Sequence, residues 1–170
     1  LDQQVALVSN TGATAYFIPG NHDLYYRDKR DIQSVEWAKH LPKVEICNDW
    51  FSTGDVVIAP WLCGDDYKRT PKLTGKYMFG HFELPGYLMN AMVEMPDHGE
   101  VRREDFANFE HVFTGHFHTP GVTSHGHANG TMAGPSEYSR DGRMHMSPPA
   151  QDYLVIHEEH GVIEHRQILV

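Results

Sequence analysis

"YFIPGNHDLYY", residues 16–26, sets a β-favouring apolar run against a proline, a glycine and three polar residues, and then turns apolar again. Tyr16-Phe17-Ile18 reads as a short strand, so Gly20-Asn21-His22-Asp23 stands at its end. An amide, an imidazole and a carboxylate in a row suit a turn that presents side chains better than they suit a continuing strand. The arrangement returns twice. Tyr77-Met78-Phe79 runs into Gly80-His81, and His111-Val112-Phe113 into Thr114-Gly115-His116-Phe117-His118. Ligands of open α/β sheets collect beyond the carboxyl ends of strands. A glycine ahead of each cluster allows a tight turn and a close backbone approach.

Outward from these three points the chain alternates between strand and helix patterns. Residues 2–10 read as the tail of a helix closed by Thr11-Gly12, and Asp31 as the cap of a helix running to about Leu41, with Ile32, Val35, Ala38 and Leu41 on one stripe and Pro42 as the stop. Val44 to Cys47 and Val56 to Ala59 read as strands, the second an unbroken apolar run of the kind a sheet covered on both faces needs. Tyr87 to Met95 is apolar enough for a buried helix or a strand. Residues 119–150, rich in Gly, Ser, Pro and His, read as loop with a strand or two. Asp152 to His157 and Val162 to Leu169 flank "EEHG" as a terminal hairpin. The class is α/β, and the length of 170 residues predicts a single domain over 1–170.

Composition narrows the function classes. Lys+Arg 14 against Asp+Glu 23 gives a formal net charge of -9, without the positive excess of non-specific nucleic-acid binders. A phosphate-bearing substrate must then be held by local groups or by metal cations. Lys68, Arg69, Lys72 and Lys76 form the compact basic patch, a candidate for contacting nucleic-acid phosphates. Cys47 and Cys63 are too far apart for a CxxC motif and read as reduced thiols in a cytoplasmic setting. No apolar stretch approaches the ~20 residues of a membrane span. The chain opens on Leu1, so a fragment or processed chain is expected.

Imidazole nitrogen combined with amide and carboxylate oxygen suits Mn, Fe or Zn, and His116-x-His118 in an extended segment points both rings to one side. Singly, each cluster has an ordinary reading as a turn. Three of them, in order and each behind an apolar run, point to one site. The other histidines read otherwise: "SHGH" at 124–127 as solvated loop, and His40, His98, His145, His157, His160 and His165 as surface residues. "GDDYKR" around Asp65-Asp66 reads as a polar loop.

"GNHD" at 20–23, "GHFE" at 80–83 and "GHFH" at 115–118 resemble the third, fourth and fifth motifs of the calcineurin-like metallophosphoesterases, over the span 15–120. "GNHDLYY", "APWLC" at 59–63, "GHFELPGY" at 80–87 and "FTGHFHTPG" at 113–121 are further similar to SbcD-type DNA-repair exonuclease subunits and their phage counterparts. The resemblance implies two packed mixed β-sheets flanked by helices and a dinuclear centre of divalent ions, Mn foremost, with Fe, Zn or Mg as alternatives. It implies Asn21, His81 and His116 as ligands of one ion and His118 of the other, with His22 as the proton donor to the leaving group and Asp23 as its orienter. It implies DNA as substrate and, as partners, an ATPase subunit and a second copy of the chain. Alternatives are a phosphomonoesterase, a small-nucleotide phosphodiesterase, or a non-catalytic metal-binding or scaffold protein. The family's first two motifs, D-x-H and G-D-x-x-D, should precede Gly20, and the stretch before it carries neither. An N-terminally truncated domain is the expectation, with second-metal affinity weakened.

Overall fold

The computed structural model describes residues 10–86, 102–122, 126–142 and 147–170. It is mixed α/β with several sheets and few helices. The chain divides into two compact units, Leu1–Phe82 with Asp105–Glu110, and Glu83–Glu104 with His111–Val170.

In the first unit β1 (Ala15–Phe17) pairs in parallel with β4 (Val44–Ile46), Ala15 opposite Val44 and Phe17 opposite Ile46. Parallel strands need a crossover between them. Here it consists of the hairpin β2 (Leu24–Tyr26) and β3 (Lys29–Gln33), followed by a 3-10 helix over Ser34–His40. The expected helix from Asp31 is thereby corrected. Asp31 caps nothing, Ile32 lies in β3 and is 55% exposed, and the cap position falls on Gln33, without a side-chain cap bond. The reason lies in the stripe itself: Ile32, Val35, Ala38 and Leu41 repeat strictly every third residue, which matches three residues per turn rather than 3.6. Of the four, only Ala38 is fully buried.

Three more strands, β5 (Phe51–Thr53), β6 (Val56–Ala59) and β7 (Tyr77–Gly80), lie side by side, β5 antiparallel and β7 parallel to β6. Val57, Ala59 and Met78 are fully buried, whereas Val56 and Ile58 on the other face of β6 are half-buried, so the equal cover of both faces expected from the apolar run is not met. Phe82, also fully buried, stacks on Phe106 at 5.3 Å. Burying such a ring contributes about 2–3 kcal/mol.

Arg30 ties the hairpin to this core. Its guanidinium donates to the carbonyl oxygens of Asn48 and Trp61, both at 2.7 Å, and to the Asp66 carboxylate at 2.5 Å. Burial pulls its pKa down, but the hydrogen bond and charge of Asp66 outweigh that and leave it raised. Asp66 sits in a 3-10 helix over Gly64–Lys68 and also accepts the Cys63 amide at 2.9 Å, so "GDDYKR" is an ordered helix with a buried carboxylate, and the polar-loop reading is corrected. The basic patch is largely neutralised: Lys68 pairs with Asp65, Arg69 with Asp49 and Asp66, and Lys76 with Asp55. Both cysteines are free, and burial pushes each thiol up.

The second unit holds β8 (His111–Thr114), β9 (Gly121–Val122), β10 (His127–Ala128), the short helix α1 (Glu137–Asp141), β11 (Ala150–His157) and β12 (Gly161–Leu169). β10 runs parallel to β8 and antiparallel to β9, and β11 and β12 form the expected terminal hairpin, turning at Gly161 with φ +70. Two histidine readings are corrected here. His127 belongs to a strand and stacks on Phe113 at 4.5 Å, because parallel pairing sets it opposite that residue. His165 in β12 is drawn inward, its Nε2 3.2 Å from the Asp152 carboxylate, with the side chain 24% exposed. His40, His157 and His160 are exposed, as expected. The readings over 2–9 and 87–95, and those of His98, His125 and His145, fall outside the described residues. Among the described residues no helix is long and apolar enough to cross a membrane.

Candidate metal centre at the strand ends

Beyond β1 the chain becomes buried at Pro19 and Gly20. The Trp61 amide donates to the Pro19 carbonyl at 2.8 Å and holds this continuation beside the segment that follows β6. Next comes a turn closed twice: the Asp23 amide donates to the Gly20 carbonyl at 3.1 Å, and the Gly20 amide donates to Asp23 Oδ2 at 2.8 Å. Asn21 and His22 occupy the two middle positions, which is why those polar residues are consecutive. Asp23 Oδ1 accepts the Ser34 hydroxyl at 2.9 Å. Both oxygens of the carboxylate thus serve the turn.

β7 ends at Gly80, and the His81 amide donates to the Ala59 carbonyl at 3.3 Å, placing the imidazole one residue past the strand's carboxyl end. A Cβ on Gly80 would run into the Ala59 carbonyl and the Phe82 ring. Gly20 has a different reason to be glycine. A Cβ there would meet the His81 ring at 3.0–3.1 Å, so its absence is what lets the turn back onto the imidazole. The Trp61 ring stands edge-on to His81 at 6.1 Å.

These constraints bring Asn21 Oδ1 to 3.0 Å from His81 Nε2, across sixty residues of sequence. That separation fits a hydrogen bond. It also fits two ligands of one ion, since donors each about 2.1 Å from a metal and at right angles to one another lie about 3.0 Å apart. Oxygen-plus-imidazole is a donor pair suited to Mn, Fe or Zn. Among the described residues no group of three or more His, Cys, Asp or Glu side chains is arranged to hold an ion. Asn21 and His81 are two potential donors brought side by side. His22 is exposed beside them.

In the second unit, His116 and His118 follow β8 as the sequence predicts. Thr114, buried at the strand's end, accepts the His116 amide on its hydroxyl at 3.5 Å, and the Asn129 amide donates to the Thr114 carbonyl at 3.0 Å. His116 meets the buried Phe117 ring edge-on at 5.4 Å. The His118 carbonyl accepts the Ser147 hydroxyl at 3.3 Å. Both imidazoles are half-buried.

Over 125 residues the chain is 28% identical to exonuclease subunit 1 of Enterobacteria phage T4, a match that covers 68% of this chain and 36% of the phage protein. The chain spans about a third of that relative's length. No family model matches it, and no solved structure does. The similarity to a phage exonuclease subunit agrees in kind with the motif reading of the strand ends. Ser34 escaped the sequence reading, because its bond to Asp23 depends on the register of β2 and β3, which no local pattern reveals.

Proposed function

We propose that the chain acts as a divalent-metal-dependent phosphoesterase on DNA, a phosphodiesterase of exonuclease or endonuclease type, on a fold of two packed mixed sheets. The observation that carries this is the approach of Asn21 Oδ1 to His81 Nε2 at 3.0 Å, at the carboxyl ends of two strands. The similarity to the phage exonuclease subunit supports the choice of substrate. In this reading Asn21 and His81 would be metal ligands in the first unit, and His116 and His118 metal ligands in the second. Such ions, Mn first among Mn, Fe, Zn and Mg, supply Lewis-acid charge at a phosphate. The protein's own part is positional and acid–base. His22, exposed in the turn beside Asn21, binds a phosphate oxygen and gives a proton to the departing alkoxide. Asp23 holds the turn and orients that imidazole. An ATPase subunit and a second copy of the chain are the proposed partners.

The pairing of Lys68, Arg69 and Lys76 with carboxylates favours a second reading, a small-nucleotide phosphodiesterase on the same residues, because few free cations are left in that patch for a long polyanion. Hydrolysis assays with Mn²⁺ on end-labelled DNA, a bis(aryl) phosphate and a mono(aryl) phosphate separate the readings. The DNA reading expects turnover of the first two and little of the third. Hydrolysis of the monoester alone, or of none, contradicts it.

A further inference from the structure

We infer that Ser34 is a positioning residue for the turn that carries Asn21 and His22. The inference rests on the proposed function only in giving that turn a role in metal and phosphate chemistry. The β2–β3 register pairs Leu24 with Gln33, so Asp23 and Ser34 form the next rung of the ladder. The Ser34 amide donates to the Asp23 carbonyl at 2.8 Å and its hydroxyl donates to Asp23 Oδ1 at 2.9 Å. Asp23 Oδ2 takes the Gly20 amide at 2.8 Å. The carboxylate is therefore gripped by two donors on two elements, and its rotamer is set from both sides. Ser34 does no capping work that would otherwise explain it, since the 3-10 helix it opens has Gln33 at the cap position and no side-chain cap bond.

Position passes along a short series of contacts. Ser34 fixes Asp23, Asp23 fixes Gly20, and Gly20 lies so close to the His81 ring that a Cβ would stand 3.0 Å from it. Asn21, next in the chain, meets His81 Nε2 at 3.0 Å. Without the Ser34 hydroxyl the Asp23 side chain gains rotational freedom, and the Gly20 amide loses a steady acceptor. The turn then opens more often and the two donors lose their fixed spacing. A hydrogen bond to a charged acceptor is of the stronger kind, so an increase in opening of roughly 10-fold is expected.

The test compares the wild-type chain with Ser34→Ala and Ser34→Thr by amide hydrogen exchange at Gly20 and Asp23, by ¹⁵N shifts of the His81 ring, by thermal midpoint, and by Mn²⁺ titration. In Ser34→Ala the Gly20 amide should exchange roughly 10-fold faster, the His81 ring nitrogens should shift and Mn²⁺ affinity should fall, with little change in midpoint. Ser34→Thr, which keeps the hydroxyl, should restore all three. Wild-type exchange and ring shifts in Ser34→Ala would overturn the inference, as would a Ser34→Thr variant no better than alanine, or a large drop in midpoint for both. If the wild-type chain takes up no Mn²⁺, the metal reading of the site fails, and the exchange and ring-shift comparison still decides the role of Ser34.

Discussion

His127 offers a quantitative handle on the second unit. Its ring stacks on Phe113 at 4.5 Å and lies 5.0 Å from the His165 ring and 5.8 Å from that of His111, and its Nδ1 is buried without a hydrogen-bond partner. Desolvation first, then the neighbouring His165 and His111, lower its pKa from 6.5 to about 4, against a weaker opposing pull from Asp152. A histidine depressed in this way is held neutral by the fold. Its contribution to stability is whole above pH ~6.5 and is lost as pH falls towards 4. At 1.36 kcal/mol per pH unit the interval corresponds to roughly 3 kcal/mol. The ring is only half-buried, so solvent screening reduces this to about 1–2 kcal/mol.

His127→Phe removes the titration and keeps a ring against Phe113. Urea unfolding of the wild type and the variant at pH 7.5, 6, 5 and 4.5 isolates the term, because other acid-labile groups cancel in the difference. The wild type should lose about 1–2 kcal/mol more than the variant between the highest and lowest pH, equivalent to a few degrees in thermal midpoint for a chain of this size. Parallel pH profiles for the two proteins would mean that His127 is not held neutral by the fold.

Arg30→Met takes from Asp66 its near counter-charge at 2.5 Å, the two side chains being 14% and 10% exposed, and leaves it the longer contact to Arg69 at 3.4 Å. The expected loss is about 3 kcal/mol in urea unfolding, and a loss under about 1 kcal/mol would mean that the pair behaves as a surface ion pair. Gly20→Ala should press on the His81 ring and weaken Mn²⁺ binding while circular dichroism stays unchanged, and full-strength binding would argue against the close packing of turn and imidazole. Under the proposed function, His22→Ala should keep its bound metal and lose turnover by ~10²- to 10⁴-fold on DNA. The loss should be smaller on a nitrophenyl ester, whose leaving group departs unprotonated, whereas equal deficits on both substrates would remove His22 from the role of acid.

The strands were legible wherever apolar runs met glycine. β6 and β7 were marked by Val56 to Ala59 and Tyr77 to Phe79, and the terminal hairpin by its turn at "EEHG". The stripe at Ile32, Val35, Ala38 and Leu41 carried its own warning, since a strict three-residue repeat is 3-10 spacing, and β3 took its first member through pairing with β2. His127 was opaque for another reason. A two-residue strand has no period of its own, and only pairing with β8 and β9 makes it one. The strand-end position of Asn21 and His81 could be read from the chain, but the clasp of Ser34 on Asp23 and that of Arg30 on Asp66 join residues 11 and 36 positions apart, through register and packing alone.

Calorimetric titration of the chain with Mn²⁺, beside Asn21→Ala and His81→Ala, tests the central claim most directly. The wild type should take up Mn²⁺ with modest affinity, fading as pH falls through ~6.5, where imidazoles take up protons. Each variant should lose most of that uptake without unfolding. Equal Mn²⁺ binding by the wild type and both variants would contradict the assignment of the Asn21–His81 pair as a metal centre.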